Sequence, residues 1–164
     1  MTEARTKAAT FVYVTYIEAT AEKVWRALVD GEMTRRYWLH DNVSDWKPGS
    51  RWEHRRADRS GAVDIVGQVL ESDPPRRLVL TWARLFEADD ETAYSRVTFD
   101  IEPQGTVVCL TVTHEGMEAD SESYKGNSAG WPKVLSNLKT LLETGRTLDI
   151  DWSGLKKLGR WEES

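Results

Sequence analysis

The segment SAGWPKVLSNLKTLLE, residues 128–143, is the reading on which the fold turns. Trp131, Val134, Leu135, Leu138, Leu141 and Leu142 recur at steps of three and four, so an α-helix gathers them into one apolar stripe. Gly145 supplies a stop just beyond it. At roughly 1.5–3 kcal/mol for each side chain fully buried, such a helix carries much of a small domain's apolar stabilisation before conformational entropy is subtracted. It therefore needs an apolar surface to cover, and truncation before Trp131 is expected to unfold the chain.

That surface lies upstream. Between Asp41 and Glu115 the pattern has no helical period and reads as repeated strands. Pro48-Gly49 precedes Arg51–Arg56, Ser60-Gly61 precedes Val63–Leu70, Asp73-Pro74-Pro75 precedes Leu78–Ala83, and Gln104-Gly105 joins the last two strands. Connections this short force antiparallel pairing, because a parallel return needs a crossover of about a dozen residues or more. Val97, Phe99 and Ile101 share one side of their strand, and Val108, Leu110 and Val112 share one side of the next. One face is dry, and the helix is its cover.

The chain before the meander begins with a strand at Phe11–Ile17, rich in aromatic and β-branched residues. Thr20 then offers a helix cap, with Val24, Trp25, Leu28 and Val29 on one face until Asp30-Gly31. A second short helix is predicted over Glu32–Trp38, with Met33, Tyr37 and Trp38 turned inward. The reading is one α+β domain over residues 8–145. Residues 146–164 form an extension in which Leu155, Leu158 and Trp161 lie three apart, a turn suited to docking on the domain or a partner.

Composition narrows the function. The 164 residues carry a net charge of −5, with no basic stripe interleaved with aromatics, which argues against nucleic acid as a partner. Cys109 is the single cysteine, so no disulfide forms within the chain, and with a polar start at Met1–Thr10 the expected setting is cytoplasmic. No apolar run approaches the roughly 20 residues of a membrane span. No serine sits in a nucleophile-elbow pattern, no metal-ligand spacing and no Gly-rich phosphate loop occurs, and no cofactor is indicated.

Eight tryptophans stand out. Trp38, Trp52, Trp82, Tyr94, Phe99 and Trp131 fall on elements that this topology brings around one interior, as do Phe86 and Tyr124. His114 continues the inward register of Val108, Leu110 and Val112. His54 alternates with Trp52 and Arg56, and His40 adjoins Asp41 in a turn; both positions are open to a surface reading. Trp38, Trp52, His54, Trp82, Tyr94, Phe99, His114 and Trp131 are accordingly the candidate ligand-binding residues, with Arg56 and Arg84 as further polar contacts. Apolar walls with a few polar groups describe a small-molecule pocket, and the same residues equally describe a solid core.

The order of elements, together with Tyr16-Ile17-Glu18-Ala19-Thr20, Val24-Trp25-Arg26-Ala27-Leu28, Trp46-Lys47-Pro48-Gly49-Ser50, Pro74-Pro75-Arg76-Arg77-Leu78 and Gly130-Trp131, resembles the START-like or helix-grip superfamily. Within it the chain is similar to the group of homologues of activators of the heat-shock-chaperone ATPase. The resemblance implies a curved seven-stranded antiparallel sheet wrapped around the long C-terminal helix, an elongated cavity between them for apolar or amphipathic molecules, and a short strand near Asn42–Asp45. Three functions follow as expectations: a small-molecule binding protein, monomeric or homodimeric; a chaperone cofactor or regulatory interaction module; and a cyclase-like enzyme with His54 or His114 as general base. The first is favoured, with no catalytic residue assigned.

Overall fold

The computed structural model describes residues 9–153. Strand β1 (Ala9–Ile17) is followed by helices α1 (Ala21–Val29) and α2 (Gly31–Trp38). Six strands come next: β2 (His40–Val43), β3 (Arg51–Arg56), β4 (Val63–Asp73), β5 (Arg77–Arg84), β6 (Ser95–Gln104) and β7 (Val107–Met117). Helix α3 (Glu122–Thr144) follows them. The strands form one seven-stranded sheet in the order β1-β7-β6-β5-β4-β3-β2, every neighbouring pair antiparallel. The two short helices thus carry the chain from one edge of the sheet to the other. This is the helix-grip α+β fold that the resemblance implies, and no helix among the described residues is long and apolar enough to cross a membrane.

Local chemistry explains the helix boundaries. Thr20 caps α1 by accepting from the Lys23 amide. Asp30 closes α1, where its own amide donates to Arg26, and opens α2, where its side chain accepts from the Glu32 amide. The two helices therefore meet at one residue. Of the three α2 residues expected inward, Tyr37 and Trp38 are buried and Met33 packs at the edge of the core. Tyr37 donates its hydroxyl to the Ala27 carbonyl at 2.8 Å, and burial pushes its phenol far above the ordinary range.

The core lies between the sheet and α3. Val97, Phe99 and Ile101 of β6, and Val108, Leu110 and Val112 of β7, are buried as their alternation requires, against Trp131, Val134, Leu135, Leu138 and Leu141. Gly67 marks the closest approach of β4 to β5: a Cβ there would fall on the Thr81 carbonyl oxygen, to which Trp52 donates its indole N–H at 2.8 Å.

The short strand and the last helix begin elsewhere than the sequence reading places them. The short strand is His40–Val43, two residues earlier than Asn42–Asp45. Helix α3 begins at Glu122 and not near Ser128, with Ser121 as its cap accepting from the Tyr124 amide. Gly126, Gly130 and Pro132, residues of low helical preference, all lie inside the helix. Pro132 has no N–H to offer the fourth carbonyl before it, so the helical ladder is interrupted between the first turns and the Leu-rich remainder.

Candidate functional site

At the end of the domain where the first turns of α3 meet β3, β4 and β5, a narrow cleft enters the interior. Trp38, Trp82 and Trp131 form its aromatic floor. Gly126, Asn127, Gly130 and Val134 of α3 line one side, and His54, Asp64, Ile65 and Arg84 of the sheet line the other. Its volume is about 30 Å³, room for a water molecule or two. Among the described residues, side chains occupy the space between sheet and helix where the resemblance implies an elongated cavity.

The filling is aromatic. The Trp38 ring lies 5.3 Å from Trp131, 6.3 Å from Trp82 and 4.8 Å from His54, centroid to centroid. Trp82 also meets Trp52 at 5.5 Å and His114 at 5.3 Å, and Phe99 stands edge-on beneath Trp131 at 5.9 Å. Trp52, Phe99 and His114 thus belong to the same cluster but sit a layer below the cleft. Tyr94 lies elsewhere, in the loop of short 3-10 turns between β5 and β6, where its hydroxyl donates to the Ala88 carbonyl. Phe86 is 78% exposed, with the Arg84 guanidinium over its ring at 4.9 Å.

His114 is fully buried. The Trp131 indole N–H, a donor only, points at its Nδ1 at 3.1 Å, so the ring proton lies on Nε2 and is donated to Ser95 Oγ at 2.8 Å. Both nitrogens are thereby committed to the joint between α3 and the sheet.

The surface reading of His40 and His54 is corrected by the structure: both are buried, at 2% and 3% exposure, and their rings stack in parallel 3.8 Å apart. Polar partners from distant segments make this burial tolerable. His54 Nδ1 donates to Asn42 Oδ1 at 2.5 Å, and the Asn42 amide donates to Thr34 Oγ1 of α2. His40 Nδ1 faces the Trp38 carbonyl at 2.9 Å and its Nε2 faces Asp64 Oδ2 at 2.8 Å.

Asp64, which the sequence reading did not single out, is the centre of the polar wall. It also accepts from Arg56 Nε and Nη2, both at 3.0 Å. Burial pushes its carboxyl upward, but the hydrogen bonds from His40 and Arg56 outweigh that and hold it below the ordinary value. A signal was present: Arg56 and Asp64 flank the turn at Ser60-Gly61, and an antiparallel hairpin brings such positions together. Among the described residues no group of three or more His, Cys, Asp or Glu side chains is placed to hold a metal ion. The lining combines the hydrogen-bonding side chains of His54, Asp64, Arg84 and Asn127 with aromatic faces.

Residues 18–143 match the family described as Activator of Hsp90 ATPase homolog 1-like protein. The chain belongs to this family. Among solved structures, protein MLL2253 from Mesorhizobium loti is similar at 28% identity and a TM-score of 0.70, over 82% of this chain and 97% of that one. The Aha1 dimer from Colwellia psychrerythraea is similar at 20% identity and a TM-score of 0.70, over 84% and 98%. PFC0360w from Plasmodium falciparum, described as an HSP90 activator, is similar at 21% identity and a TM-score of 0.64, over 82% and 96%. At the identities of the last two, the likeness shows the fold alone. No curated protein sequence matches the chain.

Proposed function

We propose that this member of the Hsp90-activator-like family binds a small, flat, apolar or amphipathic molecule at the cleft between sheet and helix. The observation that carries this reading is the union of three indole faces, Trp38, Trp82 and Trp131, with the buried His54 imidazole and the half-buried Arg84 guanidinium as polar groups in the same lining. Pockets for drug-sized ligands have volumes of roughly 300–1,000 Å³, so the ligand requires the cleft to widen. The first turns of α3 are the segment suited to that movement. Pro132 separates them from the Leu-rich part of the helix, and Gly126 and Gly130 contribute no side chain to hold them against the sheet.

The test is a two-dimensional amide NMR titration of the full chain with naphthalene-2-carboxylate and with laurate. Saturable shifts centred on Trp38, Trp82, Gly126 and Gly130 are expected. Shifts confined to the outer face of the sheet, or none with either compound, would sink the reading.

A second reading, an interaction module for a chaperone, is supported by the family's description and by the apolar side chains Val12, Val14 and Tyr16, each about half exposed on the outer face of β1. Calorimetric titration of the chain into Hsp90 tests it. Loss of binding in Val14→Asp, with the cleft intact, would support it, and no heat with the native chain would end it.

A further inference from the structure

Arg84 is the last residue of β5, and its partners set it apart from the other polar groups of the cleft. It follows Trp82 by two residues and so shares that ring's face of the strand. Across the sheet it stands opposite Ile65 of β4, which stands opposite His54 of β3, so His54 and Arg84 mark the two ends of one cross-strand row. Arg84 also lines a polar depression of about 180 Å³ beside the cleft, together with Glu87, Ser95 and Ser121. Glu87 lines that depression and not the cleft, so the carboxylate that Arg84 now holds stands outside the aromatic site.

The guanidinium already receives a carboxylate at two points. Nε donates to Glu87 Oε1 at 3.2 Å and Nη2 donates to Glu87 Oε2 at 3.3 Å, while the Phe86 ring covers one face with its centroid 4.9 Å from Cζ. Strong pairs of this kind close to about 2.7–2.9 Å. This one is long, its side chains are 23% and 34% exposed, and Glu87 is carried by the three-residue 3-10 turn Leu85–Glu87. Ion pairs that solvent reaches are weak, so another carboxylate can exchange with Glu87 at little cost. Asp64, the carboxylate of the lining, is in the opposite state: it accepts from His40 on one oxygen and from Arg56 on both. A cationic ligand would meet an acceptor already engaged, whereas an anionic one meets donors held by a replaceable partner.

We propose that Arg84 selects the charge of the ligand: the molecule taken by the cleft is a flat aromatic monocarboxylate, whose carboxylate replaces Glu87 on the guanidinium while its rings lie against Trp38, Trp82 and Trp131. This assignment rests on the cleft reading above and adds the ligand's charge to it. Trp82 and Arg84 are consecutive side chains on one face of β5, so a ring and a carboxyl group attached directly to it are met by neighbouring positions of one strand. A single negative charge fits, because Glu87, Asp90 and Glu118 in the adjoining depression repel a second. Glu87 acts as the resident competitor, and its release returns one carboxylate to solvent as another leaves it.

The experiment uses the full native chain, Arg84→Gln and Glu87→Gln, each titrated by NMR with naphthalene-2-carboxylate and with 2-naphthamide, a probe of the same shape without the charge. The readout is the ratio of the two affinities in each chain. The native chain is expected to bind the carboxylate about tenfold tighter than the amide, equivalent to ~1.4 kcal/mol. That ratio should fall to about one in Arg84→Gln and rise about threefold in Glu87→Gln, where the competitor has lost its charge. Equal affinities in the native chain would overturn the selection of charge and leave the cleft reading intact. A preference for the carboxylate that survives Arg84→Gln would overturn the role of Arg84, and a ratio unchanged by Glu87→Gln would overturn the exchange. Binding of neither probe by any of the three chains would overturn the cleft reading and this assignment together.

Discussion

Replacing Asp64 with asparagine isolates the charge at the centre of the polar wall. The carboxylate receives His40 Nε2 on one oxygen at 2.8 Å and Arg56 on both, with only a tenth of its side chain exposed. Asparagine keeps one acceptor oxygen but turns an N–H₂ group toward His40 or Arg56, both of which present donors. At about 1.5–3 kcal/mol for a hydrogen bond to a charged group, losing one and weakening the other amounts to about 3–5 kcal/mol, the usual cost of removing one partner from a buried pair. Against a typical total of about 5–15 kcal/mol this is a large fraction, readable as a lowered urea midpoint at pH 7 with an unchanged slope. The pH dependence supplies an independent check. Because the Asp64 carboxyl is held below its ordinary value, its contribution is fully present above the unfolded-state pKa of about 4 and is lost as pH falls through the lower folded-state value. The stability gap between native and Asp64→Asn protein should therefore narrow below about pH 4. A loss smaller than about 1 kcal/mol at pH 7, or a gap that stays constant down to about pH 2, would refute the reasoning.

Two further outcomes test the interior. Trp131→Phe keeps a ring in the cluster but leaves His114 Nδ1 without its indole donor, so a loss of about 2–4 kcal/mol is expected by urea unfolding, and a coupling with His114→Leu of at least about 1 kcal/mol. Additive losses would show that the hydrogen bond contributes nothing. Gly67→Ala forces β4 away from the Thr81 carbonyl and should cost about 3 kcal/mol or more; a melting temperature within about 2 °C of native would contradict the close approach.

The sheet and its covering helix were legible because alternation in β6 and β7 and the three-and-four spacing of Trp131 to Leu142 are local properties of the chain. The start of α3 was not, because the turns from 122 to 127 lie ahead of the apolar stripe that begins at Trp131 and include Gly126, which lowers helical preference locally. The burial of His40 and His54 was hidden for a different reason. Their partners, Asp64, Asn42 and the Trp38 carbonyl, become neighbours only once β2, β3 and β4 pair. Trp38, Trp82 and Trp131 were rightly grouped as interior aromatics, but whether six-membered and five-membered rings leave space between them depends on how they interlock, which period and register do not encode. Tyr94 fell outside the group because its strand begins one residue later, at Ser95. The short turn expected around Leu155, Leu158 and Trp161 lies outside the described residues.

One joint at the far end of α3 bears on the exposed edge of the sheet. Lys139 and Glu143, one helical turn apart, reach the main chain where β1 ends: Lys139 Nζ donates to the Tyr16 carbonyl and Glu143 Oε2 accepts from the Glu18 amide at 2.8 Å. β1 is an outer strand of the sheet and shows Val12, Val14 and Tyr16 on its convex side. A strand from a neighbouring molecule sliding along that rim meets, at this end, backbone groups already satisfied and a charged pair in its path. The helix that closes the core thus also occupies main-chain groups at one end of the sheet's edge strand.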